Sequence, residues 1–572
     1  MRTANLKLLT AVVVSGGILA SCGGLGKMAK YAETITYEVS PSPLIVQGDS
    51  VEVTIEGKFP GKYFHKKASV DLTPTLIYEG GETSYETSTF QGEKAAGNAT
   101  VIPHDSGKSF TFKDKVPYSP DMEDSDLVIK ILGKQGSKEK EFDPYKIADG
   151  VRTTPYLMLS DDKVILGADN FQRITTHQQN AVLHYLVNSS HVRGSELRQD
   201  DIKELAAFIK KAAKDETLEL KKLNVQAYAS PEGEISLNEN LAKDRASSAS
   251  KYVKGQLQRN KIKFEDSFFN EQPKGEDWDG FKKMMQDSDI KDKDLILRIL
   301  EMYSDVTKRE QEIRNLAATY TEIADKILPE LRRSQMSLVY DVVGKSDEEI
   351  TELAKSNPDT LNVEELLYAA TLTDDLNEKL RIYKECERIH ADDPRGANNI
   401  GYIYMMQNKM NDAQAQFEKS NKVAENPVAT NNLGVIARLK GDRNRAEKLY
   451  RESTAAGDDV KYNIGIVQIQ NGLYDEAIGN MKGYETFNAA LVKMLNGDAD
   501  GALRIIENAP EKDTAEGYYL KAIIGARTSN ADLLVNNLKS AISKDPSLKD
   551  KAKSDLEFQK YWEDSNFKSA VN

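Results

Sequence analysis

Alternating apolar and polar positions predict short β-strands over residues 34–179. Residues 34–39 and 50–55 alternate at every step, which puts their apolar side chains on one face of a strand. Residues 127–132 are almost wholly apolar, as expected of a buried strand. Turn-forming residues such as Gln47-Gly48-Asp49 separate the segments. The spacing predicts an N-terminal β-sandwich.

Strand and helix patterns alternate over residues 180–344, which predicts an α/β domain. The predicted strands are 182–187, 223–228, 262–264 and 335–343, and the predicted helices are 200–214 and 237–257. In the first helix Ile202, Leu205 and Ile209 fall on one face. A long helical insert is predicted at about 270–330, between the third and last strands.

A repeated helical pattern follows a predicted linker at 345–363. Within residues 364–572, three copies each have a glycine in an Asn-x-Gly sequence, an alanine twelve residues later and a bulky residue sixteen residues later. These residues are Gly401, Ala413 and Phe417; Gly434, Ala446 and Tyr450; and Gly465, Ala477 and Met481. Small residues let two helices of a hairpin approach closely, and the bulky residue fills the groove against the next hairpin. The pattern predicts an α-solenoid with a C-terminal cap, so the fold class is multidomain.

The first residues have the pattern of a secretory signal. Arg2 and Lys7 precede an apolar stretch at 8–20, which ends in Leu19-Ala20-Ser21-Cys22. This ending resembles the bacterial lipobox, which implies that residues 1–21 are a lipoprotein signal peptide and that Cys22 carries the lipid. Residues 22–33 are then expected to be a flexible tether. The absence of acidic residues directly after Cys22 favours an outer-membrane anchor that faces the periplasm.

Composition narrows the possible functions. The chain has 572 residues and a formal net charge of −13 with no long Lys/Arg run, which argues against a nucleic-acid binder. With two cysteines, one of them expected to carry lipid, no intramolecular disulfide is predicted. The six histidines form no His-Glu-x-x-His pair and no Cys/His cluster, and there is no phosphate loop or Gly-x-Ser-x-Gly motif. We therefore expect that the protein is not an enzyme and that it binds neither a cofactor nor a metal ion.

Residues 225–246 form a more informative pattern, in which a strand runs through a Pro-Gly turn into a helix. Asn238 and Arg245 are seven residues apart, so two helical turns place them on the same side. Beside a helix N-terminus they suit a carboxylate ligand. A capping asparagine and a solvated arginine are the alternative interpretation.

Residues 180–344 resemble the OmpA-like, peptidoglycan-associated domain. They share its β-α-β-α-β order, an Arg332-Arg333 pair before the last strand, and its helix signature as Asn238, Leu241, Arg245 and Ala246. The resemblance implies that Arg245 binds the diaminopimelate carboxylate of a peptidoglycan stem peptide. The family's aspartate is replaced by Ser230, and Glu232 in the same turn is a candidate for the missing carboxylate. The predicted peptidoglycan-binding residues are therefore Ser230, Glu232, Asn238 and Arg245.

The C-terminal hairpins resemble tetratricopeptide repeats. The resemblance implies a concave groove that binds a segment of a protein partner. The alternative is that stacking serves fold stability alone.

Two functions follow from these resemblances. The first is a non-enzymatic outer-membrane lipoprotein, held in the membrane by lipid on Cys22, that contacts peptidoglycan and recruits a protein partner through its repeats. The second is a scaffold of an outer-membrane secretion or biogenesis complex, in which the OmpA-like domain is degenerate and binds protein.

Overall fold

A computed structural model describes residues 24–572 and divides them into two compact units. The first unit runs to Gly167 and resumes at His390, and the second is Ala168–Ile389. The predicted signal peptide and Cys22 lie outside the described residues, so lipid attachment stays a prediction. None of the helices in residues 24–572 combines the length and apolar character needed to cross a membrane.

The first unit begins with the predicted β-sandwich. One sheet contains the strands Thr36–Ser40, Leu44–Gln47, Ser50–Phe59, Lys108–Pro117 and Val151–Arg152. The other contains Ser69–Tyr78, Gly81–Ser84, Ser88–Gly92, Thr100–Ile102, Ser125–Gln135, Lys138–Glu141 and Tyr145–Asp149. Val51, Val53 and Ile55 are buried between the sheets, in the alternation that predicted the strand. The β-rich region is confirmed, but its last strand ends at Arg152, well before residue 179.

The predicted tether is a helix from residue 24 onward. Gly24–Lys30 is helical, and the side chains of Leu25 and Met28 are buried in the core of the sandwich. Leu25, Met28 and the half-buried Ala29 are spaced as on one face of a helix, which explains why the segment packs against the sheets. The prediction of a flexible tether at 22–33 is therefore wrong for Gly24–Lys30.

The second unit contains a four-stranded sheet with the strand order Ile174–His184, Arg333–Val343, Leu218–Ala229 and Phe269–Glu276. Within this sheet Leu218–Ala229 and Phe269–Glu276 pair in parallel, and the other two pairings are antiparallel. The helices Asp200–Ala212 and Ile235–Arg259 supply buried residues to the core beneath the sheet.

Two boundaries in this domain differ from the prediction. The first strand starts at Ile174, so the boundary at residue 180 falls inside it. The third strand is Phe269–Glu276 instead of 262–264, and the insert therefore begins at Trp278 instead of residue 270. Phe269–Glu276 is an edge strand with Pro273 and Gly275, so it lacks the apolar alternation that marks a central strand.

The helical insert has a core of its own. Its helices are Trp278–Asp287, Lys293–Met302, Val306–Arg314, Ala317–Lys326 and Leu328–Leu331. Buried residues that include Phe281, Met285 and Ile296 pack together inside it.

The predicted linker at 345–363 is also largely helical. Helix Asp347–Ser356 begins with a capping box made by Ser346 and Glu349, and Ile350 and Ala354 are buried. The helices Val363–Ala369 and Leu376–Ile389 complete this unit.

From Pro394 the first unit consists of helical hairpins, which confirms the predicted helical-repeat region. The helices are Pro394–Met406, Met410–Val423, Pro427–Leu439, Arg443–Glu452, Asp458–Gln470, Tyr474–Asn480, Phe487–Leu495, Ala499–Asn508, Ala515–Arg527 and Ala531–Lys544. The short helices Leu548–Ser554, Leu556–Tyr561 and Ser565–Ala570 follow. A Cβ added to Gly401 or Gly434 would lie 2.6 Å from the ring of Phe417 or Tyr450, and one added to Gly465 would lie 2.8 Å from Met481.

Candidate functional site

Arg245, the central residue of the predicted peptidoglycan site, is buried inside the α/β domain. Its side chain is 1% exposed. Nε donates to the Ser189 carbonyl at 3.0 Å, Nη1 to Tyr228 at 2.8 Å and Nη2 to Leu186 at 3.2 Å. Burial lowers the pKa of the guanidinium to about 10. In this conformation Arg245 ties the end of strand Leu218–Ala229 to the loop after the first strand.

Ser230, Glu232 and Asn238 meet around the turn that follows this strand. The Ser230 hydroxyl donates to Glu232 Oε1 at 2.6 Å. Asn238 Nδ2 donates to the Glu232 carbonyl at 3.0 Å and to Glu276 Oε1 at 2.8 Å. Arg245 meets the same strand end through Tyr228. The four predicted residues therefore lie close together, and whether they bind peptidoglycan stays a prediction.

Arg332 and Arg333 form ion pairs at this site, a role that their place before the last strand did not predict. Arg332 donates to Glu232 Oε1 from Nε at 3.2 Å and from Nη2 at 2.8 Å. Arg333 donates to Asp277 Oδ2 from Nε at 3.0 Å and from Nη2 at 2.7 Å. The carboxylate of Glu232 is thus already paired with a guanidinium of its own domain.

The helical insert reaches the same turn. Glu310, on helix Val306–Arg314, accepts a hydrogen bond from the Gly233 N–H at 2.8 Å and pairs with Arg314 at 2.5 Å. Burial raises the pKa of the Glu310 carboxyl. A cavity of about 670 Å³ lies here, lined by Gly233, Glu239, Glu310 and Arg314 among others. The insert and the turn therefore share this cavity, whose lining does not include Ser230, Glu232, Asn238 or Arg245.

A second candidate site is the groove of the helical repeats, and a segment of the same chain lies in it. We call Leu159–Gly167 the clamped segment; it lies between the last strand of the sandwich and the second unit. Four buried asparagines contact this segment, and we call them the carboxamide ladder. Each one bonds both the main-chain N–H and the carbonyl of one residue of the segment. Asn399 holds Gly167, Asn432 holds Ile165, Asn463 holds Lys163 and Asn488 holds Leu159.

The geometry is the same at all four positions of the ladder. Oδ1 accepts the main-chain N–H and Nδ2 donates to the carbonyl, at distances of 2.7 to 2.9 Å. Successive repeats hold alternate residues of the segment from Gly167 to Lys163, which is the period of an extended strand. The neighbouring Asn398 and Asn431 bond the ladder carboxamides and fix their orientation.

Two aspartates anchor the clamped segment through their side chains. Asp162 forms a bidentate ion pair with Arg438, and the exposure of the two side chains is 3% and 4%. Tyr450 also donates to Asp162. Asp161 accepts from the Tyr462 hydroxyl and from Asn488 Nδ2. A buried guanidinium requires such a partner, so this position is selective for a carboxylate.

The sequence contained a signal for the ladder. An asparagine stands two residues before each repeat glycine, at Asn399, Asn432 and Asn463, and before Ala490 as Asn488. The Asn-x-Gly sequence is visible along the chain, but a packing role is predicted only for the glycine, alanine and bulky positions. At these positions the repeats hold the chain's own segment in this structure, and binding of another protein stays a prediction.

A metal site or a reactive cysteine would be another source of chemistry among the described residues. Within residues 24–572 no group of three or more His, Cys, Asp or Glu side chains is placed to hold a metal ion. Cys386 is buried in helix Leu376–Ile389.

No protein-family model matches this sequence, and no curated protein is similar to it. Solved structures are similar to part of the chain. A tetratricopeptide repeat protein from Parabacteroides merdae is 17% identical, with a TM-score of 0.28, over 43% of this chain and 99% of its own length. The repeat protein YrrB gives 17% identity, a TM-score of 0.22 and coverage of 38% and 100%. Pseudomonas aeruginosa PilF is 11% identical, with a TM-score of 0.28, over 38% of this chain and 98% of its own length. Scores of this size transfer no function to this chain.

Proposed function

We propose that this protein is a non-enzymatic scaffold of the bacterial cell envelope that holds extended protein segments in its repeat groove. The observation that carries the proposal is the carboxamide ladder. Its side chains are buried, uncharged and bonded to main-chain groups, which suits recognition of a strand and provides no nucleophile or general base. Helical repeats that stack around such a groove are a common architecture for binding protein segments.

The envelope location rests on the lipobox ending at Cys22. The described helix Gly24–Lys30 packs on the sandwich only two residues after Cys22, so lipid on Cys22 would hold the sandwich close to the bilayer surface. We expect a Cys22→Ser variant to move from the membrane to the soluble fraction of fractionated cells. Equal membrane association of this variant and the wild type would contradict a lipid anchor.

Crosslinking in intact cells followed by affinity purification tests the scaffold function. A scaffold is expected to give the same envelope protein in repeated purifications of the wild-type chain, with reduced recovery from Cys22→Ser. Failure to recover any protein reproducibly would contradict the proposal.

Contact with peptidoglycan is a second candidate function, supported by the closeness of Ser230, Glu232, Asn238 and Arg245 at the end of strand Leu218–Ala229. A cavity begins at the adjacent Gly233. Binding of purified full-length protein to cell-wall fragments is the test. We expect Glu232→Gln and Arg245→Ala to lose binding, while Lys251→Ala, an exposed change on the Arg245 helix, retains it.

The alternative, a biogenesis scaffold with a degenerate OmpA-like domain, is favoured by the internal pairing of the same residues. Three N–H groups of Arg245 already donate to main-chain carbonyls, and Glu232 is already paired with Arg332. A ligand would have to replace these bonds. A wild-type protein that does not bind cell-wall fragments would favour this alternative.

A further inference from the structure

The carboxamide ladder bonds only main-chain groups of the clamped segment. This determines which kind of segment the groove can bind. Each carboxamide bonds an N–H and a carbonyl that every residue except proline provides. The eight bonds of the ladder therefore do not select the side chains of the held residues. The groove requires an extended segment with N–H groups at alternate positions.

The aspartate positions add selectivity. Arg438 is buried and paired with Asp162, and Tyr462 donates to Asp161. A segment without a carboxylate at the position of Asp162 would leave the guanidinium buried and unpaired, which is strongly unfavourable. The groove therefore fits an extended acidic segment.

The clamped segment is partly accessible to solvent along most of its length. Leu159, Lys163 and Ile165 all keep partial exposure to solvent, and Ser160 is exposed. Val164 and Ile165 also pack against buried residues of the repeats, so a ligand that displaces the segment must replace these apolar contacts as well.

We propose that the groove is a receptor for an extended acidic segment of a partner protein, and that Leu159–Gly167 is a resident ligand that this partner displaces. The proposal rests on the scaffold function above and names its ligand chemistry. Because the resident segment belongs to the same chain, its effective concentration at the groove is high. A partner must therefore outcompete it, which keeps the groove closed to weak or non-acidic segments.

The test uses a fluorescent synthetic peptide of residues 157–168 and purified chain. The variant Lys163→Pro/Ile165→Pro removes two N–H donors from the resident segment and leaves the groove intact. We expect it to bind the peptide about 100-fold more tightly than the wild type, because the resident competitor is weakened. Ser160→Pro is the matched control, since residue 160 is not held by the ladder, and should behave like the wild type.

Two further comparisons identify the contacts. Adding Asn432→Ala/Asn463→Ala to the double proline variant should abolish peptide binding, whereas adding the exposed Asn536→Ala should not. A peptide with proline at 163 and 165, or with asparagine at 161 and 162, should bind at least tenfold more weakly, because it lacks the main-chain donors or the carboxylates. Equal binding of these peptides would overturn the proposal, as would a folded double proline variant that binds no peptide.

Amide hydrogen exchange on wild-type protein covers the case in which the proline variant fails to fold. Excess peptide should speed exchange at Lys163 and Ile165 as the resident segment is displaced, and the proline peptide should not. No acceleration at any peptide concentration would also overturn the proposal. These measurements use purified protein, whereas the scaffold function is tested by crosslinking in cells. The failure of one proposal can therefore be told apart from the failure of the other.

Discussion

Asn432 holds both main-chain groups of Ile165, a residue 267 positions earlier in the chain. Its Oδ1 accepts the Ile165 N–H at 2.8 Å and its Nδ2 donates to the carbonyl at 2.8 Å. The linker that leaves the sandwich is therefore a bound part of the repeat array. Recognition in the groove and stability of the first unit depend on the same carboxamide.

Replacement of Asn432 by alanine should destabilise the first unit. It leaves the Ile165 N–H without its acceptor in a part-buried site, which is expected to cost about 1–3 kcal/mol. Urea unfolding followed by Trp562 fluorescence, in a Trp278→Phe background, measures the change, because Trp562 packs in the first unit.

Asn536→Ala is the control for that measurement. Asn536 is exposed on helix Ala531–Lys544, so its loss should change stability by less than about 0.5 kcal/mol. If the Asn432 and Asn536 variants unfold alike, the ladder contributes nothing to stability.

Gly434 is predicted to tolerate no side chain. A Cβ there would lie 2.6 Å from Tyr450 Cε1, so Gly434→Ala should cost about 1–3 kcal/mol by overpacking. Gly479 is also helical, but a Cβ there would meet nothing within 4 Å, and Gly479→Ala should be neutral or stabilise by up to about 1 kcal/mol. The same unfolding measurement compares them, and a stable Gly434→Ala would contradict the close helix contact.

The period of the repeats explains what the sequence could predict. Gly434, Ala446 and Tyr450 act within one hairpin, so their fixed spacing is visible along the chain. The ladder asparagines share that period, but their ligand lies more than 200 residues away, and no local pattern connects Asn432 to Ile165.

The α/β domain shows a similar limit. The helix that carries Asn238 and Arg245 was predicted from its pattern, whereas the edge strand Phe269–Glu276 was not. Pairing with Leu218–Ala229 holds that strand, and its own sequence is polar. The partners of Arg245 are carbonyls of Leu186, Ser189 and Tyr228, which side-chain identity does not reveal.

Arg245 is predicted to stabilise the second unit whether or not it binds a ligand. In Arg245→Lys a single ammonium cannot replace three guanidinium bonds to separate carbonyls, so we expect a loss of about 2–4 kcal/mol. Unfolding followed by Trp278 fluorescence in a Trp562→Phe background measures it. Lys251→Arg, exposed on the same helix, is the control, and equal stability of the two variants would mean that Arg245 does not brace the fold.

The contact between the insert and the turn should depend on pH through Glu310. Burial raises the pKa of its carboxyl, and the charges of Glu276 and Glu232 act in the same direction, while the Gly233 N–H and Arg314 favour the ionised form. An acid whose pKa is raised by folding contributes stability that is fully present below its ordinary pKa of about 4.3 and is lost as the pH rises through the raised value.

Glu310→Gln removes this dependence, because the amide oxygen still accepts from Gly233 and carries no charge. The stability of the variant relative to the wild type should therefore be higher at pH 7 than at pH 4, measured by urea unfolding with Trp278 fluorescence. Glu312→Gln, on the same helix, controls for the loss of one negative charge. A relative stability that falls between pH 4 and pH 7 would contradict this prediction and would mean that the pairing of Glu310 with Arg314 outweighs its burial.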